Sequence, residues 1–239
     1  MCSPSASKSG APDAAFMQLA EIVYARASYE DVYEAICNTA VEAIPGCDHA
    51  CVSSLRAGGE LTCEGASDEV AALIDSFERK TGEGPCLDAI LESSYQHDPD
   101  ITTHATWPEL TKLVLAHTPV RGMIGYRLLI GDRKAGALNI FSDDPGALTR
   151  QSADMGAMMA GFASVALAGA AHHERAENLK RGLESNREIG KAIGLIMATH
   201  QVSDDEAFDV LRKTSSELNV KLAEIARRVI DDEHLRGLS

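Results

Sequence analysis

The chain reads as an α+β protein: an antiparallel sheet with helices outside it, one long helix, then a small all-α unit of three short helices. Three observations predict this. Apolar runs of strand length come as two hairpin pairs, separated by stretches of helical periodicity. From about Thr149 the helical spacing continues without a breaker well past residue 180. Beyond Asn186 three short amphipathic segments follow, with breaks near 200–203 and 217–220.

Residues 1–12 are rich in Ser, Ala, Gly and Pro and lack core-forming residues, which predicts disorder. From Asp13 to Ile44 the apolar residues recur at helical spacing. Ser28 restarts the helix as an N-cap, with Glu30 and Asp31 in its first turn, and Pro45-Gly46 stops it. A hairpin follows: Ala50 to Leu55, a Gly58-Gly59 turn, then Leu61 to Glu64. Val70 to Lys80 reads as a helix closed by Thr81-Gly-Glu-Gly-Pro-Cys86, and Leu87 to Leu91 as a short one. Gln96 to Pro108 reads as irregular, and Glu109 to His117 as a helix. Two more strands, Met123–Ile130 and Ala135–Phe141, flank the turn 131–134.

The long helix places Met155, Met158, Phe162, Val165, Gly169, His172, Ala176, Leu179, Leu183 and Asn186 on one a/d seam. An apolar seam held for over four heptads predicts a coiled coil, hence a homodimer through Met155–Asn186. Leu179 and Leu183 lie beyond the core of the first domain; polar Asn186 would fix register. Residues Met155–Ala171 are apolar throughout but dominated by Ala and Gly. They read as a closely packed soluble helix rather than a membrane span.

In the tail, Ile189, Ile193, Ile196 and Met197 form one apolar face. Ser203 and Glu206 make a capping box for the second helix. Ala207, Phe208, Leu211 and Leu218 are expected to pack inward, as are Leu222, Ile225, Ala226, Val229 and Ile230 of the third helix. Cations for phosphates, and amides or hydroxyls for splayed base edges, are what RNA loop recognition requires. That reading selects Arg187, Lys191, His200, Arg212, Lys213, Ser215, Asn219 and Lys221.

The segments Asn186–Met197, Ser203–Lys213 and Val220–Ile230 together resemble the ANTAR domain, a three-helix RNA-binding module of bacterial regulators. Thr81-Gly-Glu-Gly-Pro-Cys86, Trp107-Pro108, Gly136-Ala-Leu-Asn-Ile-Phe-Ser142 and the long helix after them resemble a GAF domain, more narrowly those fused to ANTAR tails in actinobacterial regulators. The resemblance implies a GAF-type antiparallel sheet flanked by helices over 13–170, a coiled-coil linker over 171–186 and an ANTAR unit over 187–235. It also implies that dimers bind paired stem-loops in nascent mRNA and promote antitermination, with the small residues Ala192 and Gly194 on the contact surface. Between those two, where many members have Lys, this chain has Ile193.

Charge supports a division of labour. The 239 residues carry a net charge of −14, which argues against a generic polyanion binder and against DNA. Yet residues 1–171 hold 11 Lys and Arg against 23 Asp and Glu, while residues 172–239 hold 11 against 13. The tail is almost neutral, so its RNA affinity is expected to need dimerisation. The six cysteines show no CxxC pair or zinc spacing, and the start lacks the apolar core of a signal peptide. Reduced thiols in a cytoplasmic protein are the expectation.

No catalytic constellation and no phosphate-cradling glycine loop stands out, so no enzymatic activity is expected. No cofactor can be named from the sequence. Cys86, His104 and Trp107 are weak candidates for a GAF ligand site; Cys86 opens a helix, a setting that can lower a thiol pKa. The alternative function is a ligand- or redox-sensing GAF protein that acts through protein partners, its C-terminal helices serving only for dimerisation.

Overall fold

The computed structural model describes residues 28–56, 60–92, 94–103, 105–130 and 133–236, together with Met17, Ala20 and Glu21; side chains after Asp232 are not described. The expected N-terminal disorder and most of the first helix before Ser28, the Gly58-Gly59 turn, residues 131–132 and His104 lie outside the described residues. The chain forms two compact units, residues 1–173 and 174–239.

In the first unit the element order is α1 (Tyr29–Ala43), β1 (His49–Leu55), β2 (Leu61–Ala66), α2 (Glu69–Thr81), α3 (Pro85–Leu91), β3 (Tyr95–Asp98), α4 (Pro108–His117), β4 (Gly122–Ile130) and β5 (Arg133–Ser142). The helix α5 (Arg150–His200) begins in this unit. The five strands form one sheet, order β2-β1-β5-β4-β3, with every neighbouring pair antiparallel. Ser28 caps α1 as expected: its hydroxyl accepts from Asp31 N while the Asp31 carboxylate accepts from Ser28 N.

Alternation along the strands splits the core between the two faces. Ala50, Val52, Ile124, Leu128, Leu138 and Ile140 pack against α1 and the first turns of α5, where Met159, Ala163 and Leu167 are buried. Cys51, Met123 and Phe141 point the other way, against α2 and α4. The apolar length of α5 is sufficient by composition to cross a membrane, but these contacts make it a core helix of the sheet.

Two glycines set the opposite face. At Gly125 an added Cβ would stand 2.5 Å from the Pro85 carbonyl oxygen, so α3 can lie directly on β4 only because that position has no side chain. Gly82 ends α2 at φ 69°, the left-handed conformation that turns the chain toward Pro85. The sequence reading places no strand at β3. This edge strand has four residues and no apolar run, and its only definition is pairing with Met123–Tyr126 of β4.

In the second unit, α5 continues without a break to His200, so the expected first tail helix is the end of α5. It is followed by α6 (Asp204–Leu218) and α7 (Leu222–Arg236). The breaks are where expected. Gln201 and Asn219 take positive φ of 54° and 51°, and Ser203 with Glu206 forms the capping box of α6.

Candidate nucleic-acid interface and sensor core

The tail core fixes which side chains can reach a ligand. Ala192 and Ile196 of α5, Ala207 and Leu211 of α6, and Ile225, Ala226 and Ile230 of α7 form one buried cluster. Two inward expectations are corrected: Phe208 is 39% exposed and Leu218 57% exposed. Phe208 lies off the α6 stripe of Ala207 and Leu211, whereas Leu218 lies on that stripe but is the last residue of α6.

Several proposed contact residues also have partners within the tail itself. Ala192 is fully buried; its smallness serves helix packing, and it is withdrawn from the RNA-contacting set. Ser215 donates its hydroxyl to the Val220 carbonyl at 2.6 Å and so fixes the α6–α7 turn. Asn219 is the left-handed C-cap of α6, its N–H donated to the Ser215 and Ser216 carbonyls. Arg212 pairs with Asp209 at 2.9 Å and Lys213 with Glu217 at 3.9 Å, both on exposed α6 surface. His200 borders a separate apolar cavity of about 570 Å³ with Leu195, Val202, Val210 and Val229. Gly194 is exposed, and an added Cβ there would meet nothing within 4 Å. It therefore remains a point where a ligand can approach the backbone.

The structure brings the other basic residues together. A groove of about 730 Å³ runs between α5 and the start of α7, lined by Arg181, Ser185, Glu188, Lys221, Glu224 and Arg227 among others. Lys191 bonds Glu188 at 2.9 Å. That bond, reinforced by the nearby charges of Lys191, Arg187 and Arg227, holds the Glu188 carboxyl below its usual range. Along the groove Arg181, Lys221 and Arg227 thus stand among three carboxylates, Glu184, Glu188 and Glu224, and Arg187 and Lys191 add positive charge beside Glu188. Lys221, whose carbonyl accepts from Glu224 and Ile225, stands at the positive end of α7, where anions are favoured. The sequence reading does not include Arg181 or Arg227 among the contact residues. The signal for Arg181 was its helical spacing with Ser185, Glu188 and Lys191, hidden because it falls in the linker.

At 100° per residue, Arg181, Ser185 and Glu188 occupy one side of α5 and Ala176, Leu179, Leu183 and Asn186 the opposite side. Leu179 and Leu183 are 67% and 64% exposed. A partner helix on that seam would leave the groove open.

In the first unit the polar chemistry is buried. On the α2–α4 face of the sheet, Ser53, Asp75, Glu78 and Asn139 have no solvent exposure. Ser53 donates to Asp75 at 2.5 Å, and the Arg79 guanidinium approaches the other Asp75 oxygen at 3.2 Å, off hydrogen-bonding alignment. Glu78 accepts from Cys86 N, while its second oxygen, Asn139 Oδ1 and Thr111 Oγ1 have no protein partner. Burial pushes the Glu78 carboxyl well above its ordinary 4.5, against the Cys86 N–H bond. The sequence signal was Asp75 and Glu78 at i, i+3 on the inward face of α2.

Cys86 is corrected. Its thiol is fully buried, and burial together with the neighbouring Glu78 pushes its pKa up, outweighing bonds from Asn139 and Ser53. The helix start cannot activate a thiol that no water reaches. Trp107 is 4% exposed and donates its indole N–H to Asp88 at 2.7 Å, anchoring α4 to α3.

The raised pKa of Glu78 gives a signed expectation. A carboxyl with a raised folded-state pKa destabilises the fold increasingly as pH rises above its unfolded value of about 4.5. Glu78→Gln keeps the acceptor for Cys86 N and removes that titration. Urea midpoints at pH 5, 7 and 8 should favour the variant progressively; an equal loss at every pH would refute the raised pKa.

A second signed expectation concerns His49. Its Nδ1 lies 2.6 Å from Asp68 and its Nε2 3.2 Å from Asp143. Both contacts are hydrogen bonds only in the imidazolium. Burial works to lower the His49 pKa, but the two carboxylates outweigh it and the net shift is above 6.5; Asp68 shifts below 3.8 against its own burial. The clamp therefore stabilises most between those two values, and loses strength as pH rises through the folded pKa of His49. The difference in urea midpoint between the protein and His49→Gln should shrink from pH 6 to pH 9. A constant difference would show that the ring acts by packing alone.

The GAF domain family model matches residues 26–168. The chain belongs to the GAF domain family. The ANTAR domain model matches residues 177–230, so a sensory GAF domain is followed by a domain of RNA-binding type. No curated protein matches the chain at a significant level. Among solved structures, the phycoerythrobilin-bound GAF domain from a cyanobacterial phytochrome is similar at TM-score 0.54 and 11% identity, over 68% of this chain and 97% of that one. The free methionine-R-sulfoxide reductase from Neisseria meningitidis, in complex with its substrate, aligns at TM-score 0.54 and 12% identity over 72% and 97%. The GAF domain from an Acinetobacter phosphoenolpyruvate-protein phosphotransferase aligns at TM-score 0.52 and 11% identity over 70% and 96%. At these identities the likeness concerns the fold.

Proposed function

We propose that this GAF protein is a cytoplasmic, non-enzymatic regulator that dimerises through α5, binds paired RNA stem-loops with its ANTAR tails and promotes antitermination in response to a signal at the GAF domain. The observation that carries the RNA-binding part is the groove where Arg181, Lys221 and Arg227 converge beside Arg187 and Lys191. Cations spaced around a groove suit phosphates of a folded backbone, and the exposed Gly194 permits close approach. The dimer is supported by the seam of Met158, Val165, Leu179 and Leu183, each more than half exposed. Two nearly neutral tails acting together gain avidity that one lacks.

Filter binding with a two-stem-loop RNA, at several salt concentrations, tests this reading. The two-loop RNA should bind at least about tenfold tighter than either loop alone, with a steep salt dependence. Equal affinity for one and two loops would remove the paired-loop reading; no RNA binding at low salt would remove the RNA-reader reading. A second reading has one observation behind it. The apolar cavity at His200, with Val210 52% exposed beside it, suits a protein partner of the tail. Arg187→Ala with Lys191→Ala separates the two, because it should abolish RNA binding and leave a partner at that cavity untouched.

A further inference from the structure

A slot of about 750 Å³ lies between the β3 edge of the sheet and the first turns of α5, away from the buried polar cluster. It is bracketed by two bonds from β4 to the helix. Tyr126 donates its hydroxyl to the Ala153 carbonyl at 2.7 Å, and the Ser164 hydroxyl accepts from Leu129 N at 3.1 Å. The sheet side is a wall of rings: Tyr95 lies 5.3 Å from Tyr126 and 6.0 Å from His97, centroid to centroid. His97 is oriented by the Leu148 carbonyl at 3.1 Å, which can only accept, so Nε2 carries the hydrogen. The ring of Tyr126 fits beneath the helix because residue 156 is glycine; a Cβ there would stand 2.6 Å from it.

The helix side of the slot is flat. Ala157, Gly161 and Ser164 present nothing larger than a hydroxymethyl group. At one end stands Arg150, its side chain 95% exposed and 4.0 Å from Asp154, which also lines the slot; Arg127 borders the sheet side, but its guanidinium is taken up by the Ala89 and Glu92 carbonyls of the α3 side. An open cleft with rings on one wall, small residues on the other and the Arg150 guanidinium beside the Asp154 carboxylate at one end suits a flat, apolar molecule with an anionic group that can displace Asp154 from Arg150. Its volume falls within the range of small-molecule sites.

We propose that this slot binds a flat aromatic carboxylic acid, its ring system lying between Tyr95 and Gly161 and its carboxylate toward Arg150. The ligand would bridge β3 to α5, the same continuous helix that ends at His200. The site is distinct from the RNA groove, so it stands or falls without it.

Isothermal titration and saturation-transfer NMR of the full chain with 2-naphthoate test the proposal. Saturable binding is expected with Kd between about 30 μM and 1 mM, the range for a ligand of this size. Arg150→Gln should weaken it about tenfold, the loss of one charge-assisted contact. Ala157→Trp should abolish it by filling the slot from the helix side. Gly161→Trp should do the same, since a Cβ at Gly161 meets nothing within 4 Å and the helix can accept it. Circular dichroism and mass by light scattering check that both variants keep the fold and assembly. Absence of saturable binding overturns the proposal. So does binding that survives both tryptophan variants, which would place the probe on another apolar surface. If 2-naphthoate does not bind and the tryptophans change the oligomeric mass, the slot belongs to a second copy of the chain, and the proposal is again overturned.

Discussion

Glutamate at both Leu179 and Leu183 is expected to leave the chain monomeric and to lower its affinity for a two-stem-loop RNA by about a hundredfold or more. Each leucine is about two-thirds exposed and sits on the α5 side opposite the groove. Burying one leucine against a partner is worth about 1.5–3 kcal/mol, and the seam repeats this on both chains. Two glutamates per helix replace that gain with four like charges across the seam. The tail core and the groove are untouched, because neither leucine belongs to them. Light scattering and filter binding measure the two effects. A variant that retains the dimer mass would place the interface elsewhere on the chain, and one that becomes monomeric without losing affinity would break the link between assembly and RNA binding.

Lys221→Ala combined with Arg227→Ala should reduce RNA affinity by about tenfold to a hundredfold and flatten its salt dependence. Each lost phosphate contact on a single strand removes about 0.7 from the slope of log K against log salt, so a dimer lacking four should lose about 2.8. Both side chains are exposed, and neither position belongs to the buried tail core. Helix content and the urea midpoint should therefore remain within about 0.5 kcal/mol of the parent. An unchanged salt slope would remove the groove from the RNA surface whatever happens to affinity. Arg212→Ala is the matched control, because that guanidinium is paired with Asp209 on α6, outside the groove lining; it should leave the slope nearly unchanged.

These expectations show where the sequence was readable. Capping boxes at Ser28 and Ser203 were legible because they depend on residues three positions apart. The α2 and α4 helices were legible because a half-buried element writes its period into its own residues, and the β4–β5 pair because strands buried on both faces read as continuous apolar runs beside a turn. The edge strand β3 was not, since Tyr95–Asp98 have no period of their own and are held in the sheet by β4 alone. In the candidate site, basic residues could be found by type but not sorted by role. Ser215 has the side chain of a base reader, yet its hydroxyl closes the α6–α7 turn.

The sequence by itself determined the two-part architecture, the antiparallel sheet, the presence of one long helix and the identity of both domain families. All of these rest on patterns local to the chain. Only the tertiary structure decided that Ala192 is core, that Arg181 and Arg227 join Lys221 at one groove, and that Glu78 is sealed beside Cys86. Those facts depend on which faces of separate helices meet, and side-chain burial and charge proximity are set by packing between elements distant in sequence.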